Sequence, residues 1–271
     1  MESAAVQNAD RTDPSVSDSD SATALESAKL RALYHFAYGL SHEINNPLAN
    51  IATRAQTLLV DENDPDRRRK LATIVQQAFR AHEMIADLML FAHPPQMQPR
   101  ETDLGQLADT VAAELHEQAH QQHTQIKRTG GNHPLIATVD PTQIAVALKA
   151  ILQNALEALK EGGSIELNVE RGTRATEQSP IPPPHFVMAG GETSPASLPL
   201  FVLTITDTGP GIPPEVRPHI FDPFFCGREA GRGLGLGLSK AWRIVELHGG
   251  SLEVDSQQGH GATFRVILPA E

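Results

Sequence analysis

Leu33, Ala37, Leu40, Ile44, Pro47, Ile51, Ala55 and Leu58 recur at steps of three and four, the spacing of a helix that buries one stripe against partner helices. This first helix is expected from about Leu25 to Val60. It breaks at Asp61-Glu62-Asn63-Asp64-Pro65, where Asp64 can cap a second helix with Pro65 in its first turn. Leu71, Val75, Ala78, Ile85, Leu88 and Ala92 form the second stripe, and Pro94-Pro95 ends it because proline cannot continue the backbone ladder. Two such helices make a hairpin whose apolar face cannot cover itself. Two hairpins are therefore expected to pair as a four-helix bundle, which makes the protein a homodimer.

His42 stands off the stripe. At about 100° per residue it is turned roughly 200° from both Leu40 and Ile44, so it is expected to project to solvent. Glu43 is next to it and Asn46 lies one turn on. An imidazole is mostly neutral and nucleophilic near pH 7, and a carboxylate and an amide at these positions are equipment for chemistry at a ring nitrogen.

With 271 residues, 40% of them hydrophobic, the chain has room for about two domains with cores of their own. No run approaches the roughly 18 apolar residues that cross a bilayer, and the start lacks the basic-then-apolar order of a signal peptide, so no membrane insertion and a cytoplasmic location are expected. The single cysteine, Cys226, excludes an internal disulfide and a multi-cysteine zinc site. A formal charge of −11 disfavours direct DNA binding, which needs a basic surface. Residues 1–24 are rich in Ser, Asp and Ala without an apolar period and are expected to be a disordered tail.

After a proline-marked linker over 94–102, the second half mixes helices and short strands. A helix is expected from Asp103 to about Gln121, then strands near Gln125–Arg128 and Leu135–Val139. Asp140-Pro141 starts a helix that runs to Lys160 and stops at Gly162-Gly163. Ile144, Leu148, Ile151, Ala155 and Leu159 face its core, with Ala147, Ala150, Asn154 and Glu157 on an adjacent stripe. Alternating strands follow at 164–170 and 200–206. Between them an insert, 171–199, carries six prolines without an assigned chemistry. A helix over Leu238–His248 and strands over Ser251–Ser256 and Ala262–Leu268 complete the sheet.

The stretch His42-Glu43-Ile44-Asn45-Asn46-Pro47-Leu48 resembles the phosphoacceptor box of sensor histidine kinases, commonly His-Glu-x-x-Thr/Asn-Pro-Leu. Further boxes follow in the same order. Gln153-Asn154-Ala155-Leu156-Glu157-Ala158-Leu159 resembles the family's asparagine box, with Ala150 where another Asn is frequent. Asp207-Thr208-Gly209-Pro210-Gly211-Ile212 resembles its first glycine box, and Ile220-Phe221-Asp222-Pro223-Phe224-Phe225 its phenylalanine box. Gly231-Arg232-Gly233-Leu234-Gly235-Leu236-Gly237-Leu238-Ser239 resembles the second glycine box and Gly261-Ala262-Thr263-Phe264 the last. The boxes extend from Leu40 to Pro269.

The resemblance implies an α+β fold: a helical hairpin over 25–93 forming a dimeric four-helix bundle, followed by an α/β-sandwich ATP-binding domain with a mixed sheet over 103–271. It also implies ATP and Mg²⁺, with Asn154 on the cation, since a hard cation takes oxygen ligands, and Glu157 in the same box. Asp207 would accept the adenine amino hydrogen beside Gly209 and Gly211. Thr263 would support the adenine end. Gly233, Gly235 and Gly237 would hold phosphates at a helix N-terminus, and Arg228, in a mobile lid over 226–231, would meet the γ-phosphate. His42 would attack that phosphorus with Glu43 acting on its proton, and Asn46 would serve dephosphorylation of the partner.

The expected activity is thus that of an ATP-dependent protein histidine kinase, passing phosphate to the aspartate of a response-regulator receiver domain and also acting as a regulator phosphatase. A separate sensory or regulatory protein is implied as input. Two rivals stand beside this reading: an ATPase of the wider superfamily with gyrase and MutL, which needs no histidine box, and a noncatalytic dimeric phosphotransfer or scaffold protein with a degenerate ATP domain.

Overall fold

A computed structural model describes residues 32, 35, 38–39, 41, 43–130, 133–173, 199–227 and 234–270. The expected tail, 1–24, lies outside them. Helix α1, residues 43–60, continues through Pro47, and α2, Pro65–Ala92, begins where Asp64 Oδ1 accepts the N–H groups of Asp66 and Arg67, each at 2.9 Å. Arg68 closes the hairpin by donating to the carbonyls of Leu59 and Glu62 at 3.2 and 2.9 Å. On α2 the apolar stripe turns inward, with Ala78, Leu88 and Ala92 buried. On α1 the stripe divides. Ala52 and Ala55 are buried, whereas Ile51 and Leu58 stay 48% and 64% exposed in the single chain, as do Ile74 and Phe79 of α2 at 43% and 51%.

The second half runs β1 (Arg100–Asp103), α3 (Leu104–Glu114), α4 (His116–Gln121), β2 (Thr124–Thr129), β3 (Ile136–Val139), α5 (Pro141–Leu159), β4 (Gly163–Thr173), β5 (Pro199–Asp207), a 3₁₀ turn at Arg217–His219, α6 (Gly237–Leu247), β6 (Ser251–Ser256) and β7 (Ala262–Pro269). Three local expectations change. Residues 100–102 of the expected linker are strand, paired antiparallel to β3. The helix expected over Asp103–Gln121 breaks at Leu115, whose side chain is buried. The insert is shorter than expected, because Arg171 pairs with Phe201 and Thr173 with Pro199 as the ends of β4 and β5; residues 174–198 lie outside the described ones.

The main sheet has the order β2-β4-β5-β7-β6, with β2 parallel to β4 and the other pairs antiparallel. It is mixed, as expected. Alternate residues of β5 and β7 are buried, which follows from the two-residue period of a strand covered on one face. Leu203, Ile205, Phe264 and Val266 meet Leu148, Ile151 and Leu152 of α5 and Ile244 and Val245 of α6 in one core.

The start of α5 ties this core to the linker that follows α2. Asp140 caps α5 through the N–H groups of Thr142 and Gln143 at 2.9 and 3.1 Å. Its Oδ2 also accepts the N–H of Gln98 at 2.9 Å, and the buried Gln143 donates to the carbonyl of Pro95 at 3.0 Å. The Asp140 N–H in turn donates to His248 Nε2 at 3.1 Å, while His248 Nδ1 lies 2.8 Å from the Ile244 carbonyl. Those partners set the neutral Nδ1–H tautomer.

Burial pushes the Asp140 carboxyl up. The N–H groups of Gln98, Gln143 and Thr142 outweigh it and hold the group below its ordinary value of 3.8. A depressed folded-state pKa means that the carboxylate stabilises the fold above the unfolded value, and that this share is lost as pH falls through the lower, folded one. Replacing Asp140 by Ala is expected to lower stability by about 1–2 kcal/mol near neutrality. In denaturant titrations the wild type should exceed Asp140→Asn at pH 7, with the gap closing as the pH falls below about 4.

Candidate functional site

The inner-face alternation of β5 ends at Asp207, which is 4% exposed. Its Oδ1 accepts the Gly209 N–H at 2.8 Å and turns the chain back. A Cβ on Gly209 would press on that oxygen and come within 3.5 Å of Ala158 of α5, so the glycine loop rests on the helix one turn beyond Asn154. Gly211 has φ +68 and Gly261 φ +82. A side chain on either would run into the carbonyl of Gln257 or of Asp207 respectively, so only glycine fits.

Ser256 ties the two glycine segments together. Its buried hydroxyl accepts the Ile212 N–H at 2.9 Å and donates to the Gly261 carbonyl at 2.7 Å, and Gly259 N–H donates to the Pro210 carbonyl at 2.7 Å. Thr208 exchanges bonds with the Ser164 backbone at 3.1 and 3.0 Å. Asn154 and Glu157, both half-buried, lie one turn apart on α5, near this loop. Ala150 is buried in the core, where a methyl group packs better than an amide would.

Thr263 is not brought to Asp207. It pairs with Thr206 across β5 and β7, hydroxyl to hydroxyl at 3.1 Å, and strand alternation puts both on the face opposite Asp207. The residue directly across from Asp207 is Ala262. The apolar rhythm of Ala262, Phe264, Val266 and Leu268 is the signal that would have shown Thr263 pointing outward.

Gly235, φ +68, packs against the phenylalanine box. Its carbonyl accepts the Phe224 N–H at 3.1 Å, and a Cβ would lie 2.7 Å from the Phe224 carbonyl carbon. Phe224 itself has φ +66, an uncommon conformation for a bulky residue. The box is folded by His219 Nδ1, 2.8 Å from Asp222 Oδ2, with the His219 ring against Phe225. Gly237 opens α6, and a Cβ there would meet nothing within 4 Å. Gly233 and Arg228 lie outside the described residues, with Gly231 and Arg232.

In the hairpin, His42 also lies outside the described residues. Glu43 and Asn46 are exposed on α1. Between them, Asn45 Nδ2 donates to Ser41 Oγ at 3.1 Å and Asn45 Oδ1 lies 3.0 Å from His82 Nδ1 of α2, fastening this part of α1 to its neighbour. Sequence reading missed His82, Ser256 and the pair of Asp87 on α2 with Lys240 on α6, because each acts through residues distant in the chain.

Residues 32–96 match the family model His Kinase A (phospho-acceptor) domain, and residues 139–271 match Histidine kinase-, DNA gyrase B-, and HSP90-like ATPase. The chain belongs to the sensor histidine kinases. Among similar histidine kinases, the sensory histidine kinase/phosphatase NtrB of Vibrio alginolyticus is 33% identical over 233 residues, covering 85% of this chain and 61% of that protein. Full-length ShkA in complex with AMPPNP shares the fold at a TM-score of 0.68 and 21% identity, over 87% of this chain and 46% of that one. ThkA in complex with the response regulator protein TrrA does so at 0.59 and 22%, over 91% and 64%. The chain spans 25% of the length of the sensor kinase CckA of Brucella abortus and 64% of that of NtrB of Salmonella typhimurium, less than two thirds of either. Among the described residues no helix is long and apolar enough to cross a membrane.

The two glycines of the second box should behave differently. Gly235→Ala is expected to disturb the phenylalanine box itself and lower the melting temperature. Gly237→Ala should leave melting nearly unchanged, since a Cβ there meets no neighbour within 4 Å, and should reduce affinity for an ATP analogue if phosphates lie against this turn. Equal melting losses in both variants would show Gly237 to be a structural turn.

Proposed function

We propose that the protein is an ATP-dependent protein histidine kinase with a phosphoacceptor hairpin over 25–93 and an ATP-binding domain over 103–271. The observation that carries this is the knot of Asp207, Gly209, Gly211, Ser256 and Gly261 against the Asn154 turn of α5, in a chain whose other half bears the histidine box. The cradle admits no side chain at its glycines, and a buried carboxylate at its floor suits an amino-bearing ring. Asn154 offers an oxygen to Mg²⁺, which when bound neutralises part of the triphosphate charge.

In the reaction an imidazole nitrogen of His42 attacks the γ-phosphorus of ATP. An N–P bond forms, the bond from phosphorus to the bridging oxygen of ADP breaks, and Glu43 takes the ring proton. A receiver-domain aspartate then attacks the phosphohistidine, giving an acyl phosphate and free His42. Asn46 holds a water for the reverse task, hydrolysis of that acyl phosphate, without adding repelling charge. The exposed Ile51, Leu58, Ile74 and Phe79 support a homodimer, since pairing of two hairpins would cover them. A cytoplasmic location and a separate sensory partner belong to the same reading.

Incubating the purified chain with γ-labelled ATP and a panel of receiver domains tests it. Acid-labile label should appear on the wild type and be absent from His42→Gln, with ATP binding retained. Label persisting on that variant would remove His42 from the reaction. Asn46→Ala should still autophosphorylate and transfer, yet dephosphorylate the regulator at least about tenfold more slowly. If both activities fall together, Asn46 serves only the helix around Pro47.

A further inference from the structure

The last turns of α2 lie on the start of α6. Leu88 and Phe91 are buried with Leu236, and Met89 and Leu234 pack around them. Leu234 and Leu236 flank Gly235, so the glycine run that would hold phosphates is wedged between the phenylalanine box and the hairpin. Beside this apolar contact the ammonium of Lys240 pairs with the carboxylate of Asp87.

The pair is asymmetric. The Lys240 side chain is 11% exposed and that of Asp87 41%. A cation stripped of most of its water needs a counter-charge continuously, whereas a carboxylate at the surface regains water when its partner leaves. The next cation on the same side of α6, Arg243, pairs with a carboxylate of its own helix, Glu246, at 3.7 Å. Lys240 N–H donates to the Leu236 carbonyl at 2.8 Å, so Lys240 stands one turn above the glycine run. Helical Cα–Cβ bonds lean toward the N-terminus, and a four-carbon stem can carry the ammonium back along that direction.

We propose that Lys240 is a phosphate-binding residue shared between the hairpin and the nucleotide. Asp87 holds it in the arrangement seen here, and the triphosphate takes it when ATP enters the glycine run. This rests on the ATP-binding reading above. A triphosphate presents several oxygens and more than one charge, so it competes well for a point-like ammonium. Because both partners draw on one cation, the coupling is reciprocal: ATP loosens the hold of α2 on α6, and removing the Asp87 charge strengthens ATP binding.

Calorimetric titration of the full chain with a non-hydrolysable ATP analogue and Mg²⁺ tests the proposal through the direction of two changes. Asp87→Asn should bind the analogue about two- to tenfold more tightly, and Lys240→Gln weaker by a similar factor. The double variant should resemble Lys240→Gln, because Asp87 has no effect once its competitor is gone. Changes in the same direction for both single variants, or no change in Asp87→Asn, overturn the proposal and leave Lys240 a purely structural contact. Wild-type chain that binds no analogue overturns the ATP reading along with it. Asp87 is partly exposed, so Asp87→Asn folds and its sign alone decides the matter even if Lys240→Gln does not fold.

Discussion

Burial of one face of α5 against the sheet is the constraint from which the second half of the protein follows. Ile144, Leu148, Ile151, Leu152 and Leu156 are essentially inaccessible, and truncating one such side chain to Ala costs about 2–5 kcal/mol. That cost fixes the rotation of the helix. Once this face is inside, Asn154 and Glu157 are held at the edge of the core, and Ala158 comes to lie under the glycine loop. The strand has its own period. Counting inward-facing residues along β5 from Phe201 places Asp207 as the last, at the end where the loop begins. A period of 3.6 and a period of two thus converge on one place.

The same two periods explain which features are legible in the sequence. The caps at Asp64 and Asp140, the two-residue alternation of β5 and β7 and the stripe on α2 are local signals, each contained within one helix or one strand. β1 is not legible, because Arg-Glu-Thr-Asp has no strand rhythm and pairs only through β3, more than 30 residues away. Ser256 ends a strand unremarkably in sequence; its two hydrogen bonds reach Ile212 and Gly261. Thr263 is a different kind of miss, since counting from Phe264 turns it outward. Gly235 reads in sequence as a point of ligand approach, yet its nearest obligation is to the backbone of Phe224 and Phe225.

On α1 the stripe divides for a related reason. Spacing by three and four marks an apolar band wider than one contact needs, and it does not say which neighbour covers which edge. Within one hairpin, the small residues Ala52 and Ala55 take the inside, where helices can approach closely. The larger Ile51 and Leu58 are left for a surface outside the hairpin. The homodimer proposed above would use both.

Helix α6 is held at its two ends by different chemistry. At the C-terminus His248 accepts the Asp140 N–H, and Asp140 and Gln143 bind the backbone of Gln98 and Pro95. Asp140 and Gln143 are themselves buried, so breaking either bond strands a polar group that water does not reach readily. The N-terminal end is held by the small cluster of Leu88, Phe91 and Leu236 and by the Lys240–Asp87 pair, which is open to solvent on the aspartate side. The second end is the weaker. A movement that carries the ATP-binding half along the hairpin toward the histidine box should therefore open at Lys240 and turn about Asp140. In the reading proposed above, nucleotide would enter beside the weaker end, where the fold is least resistant.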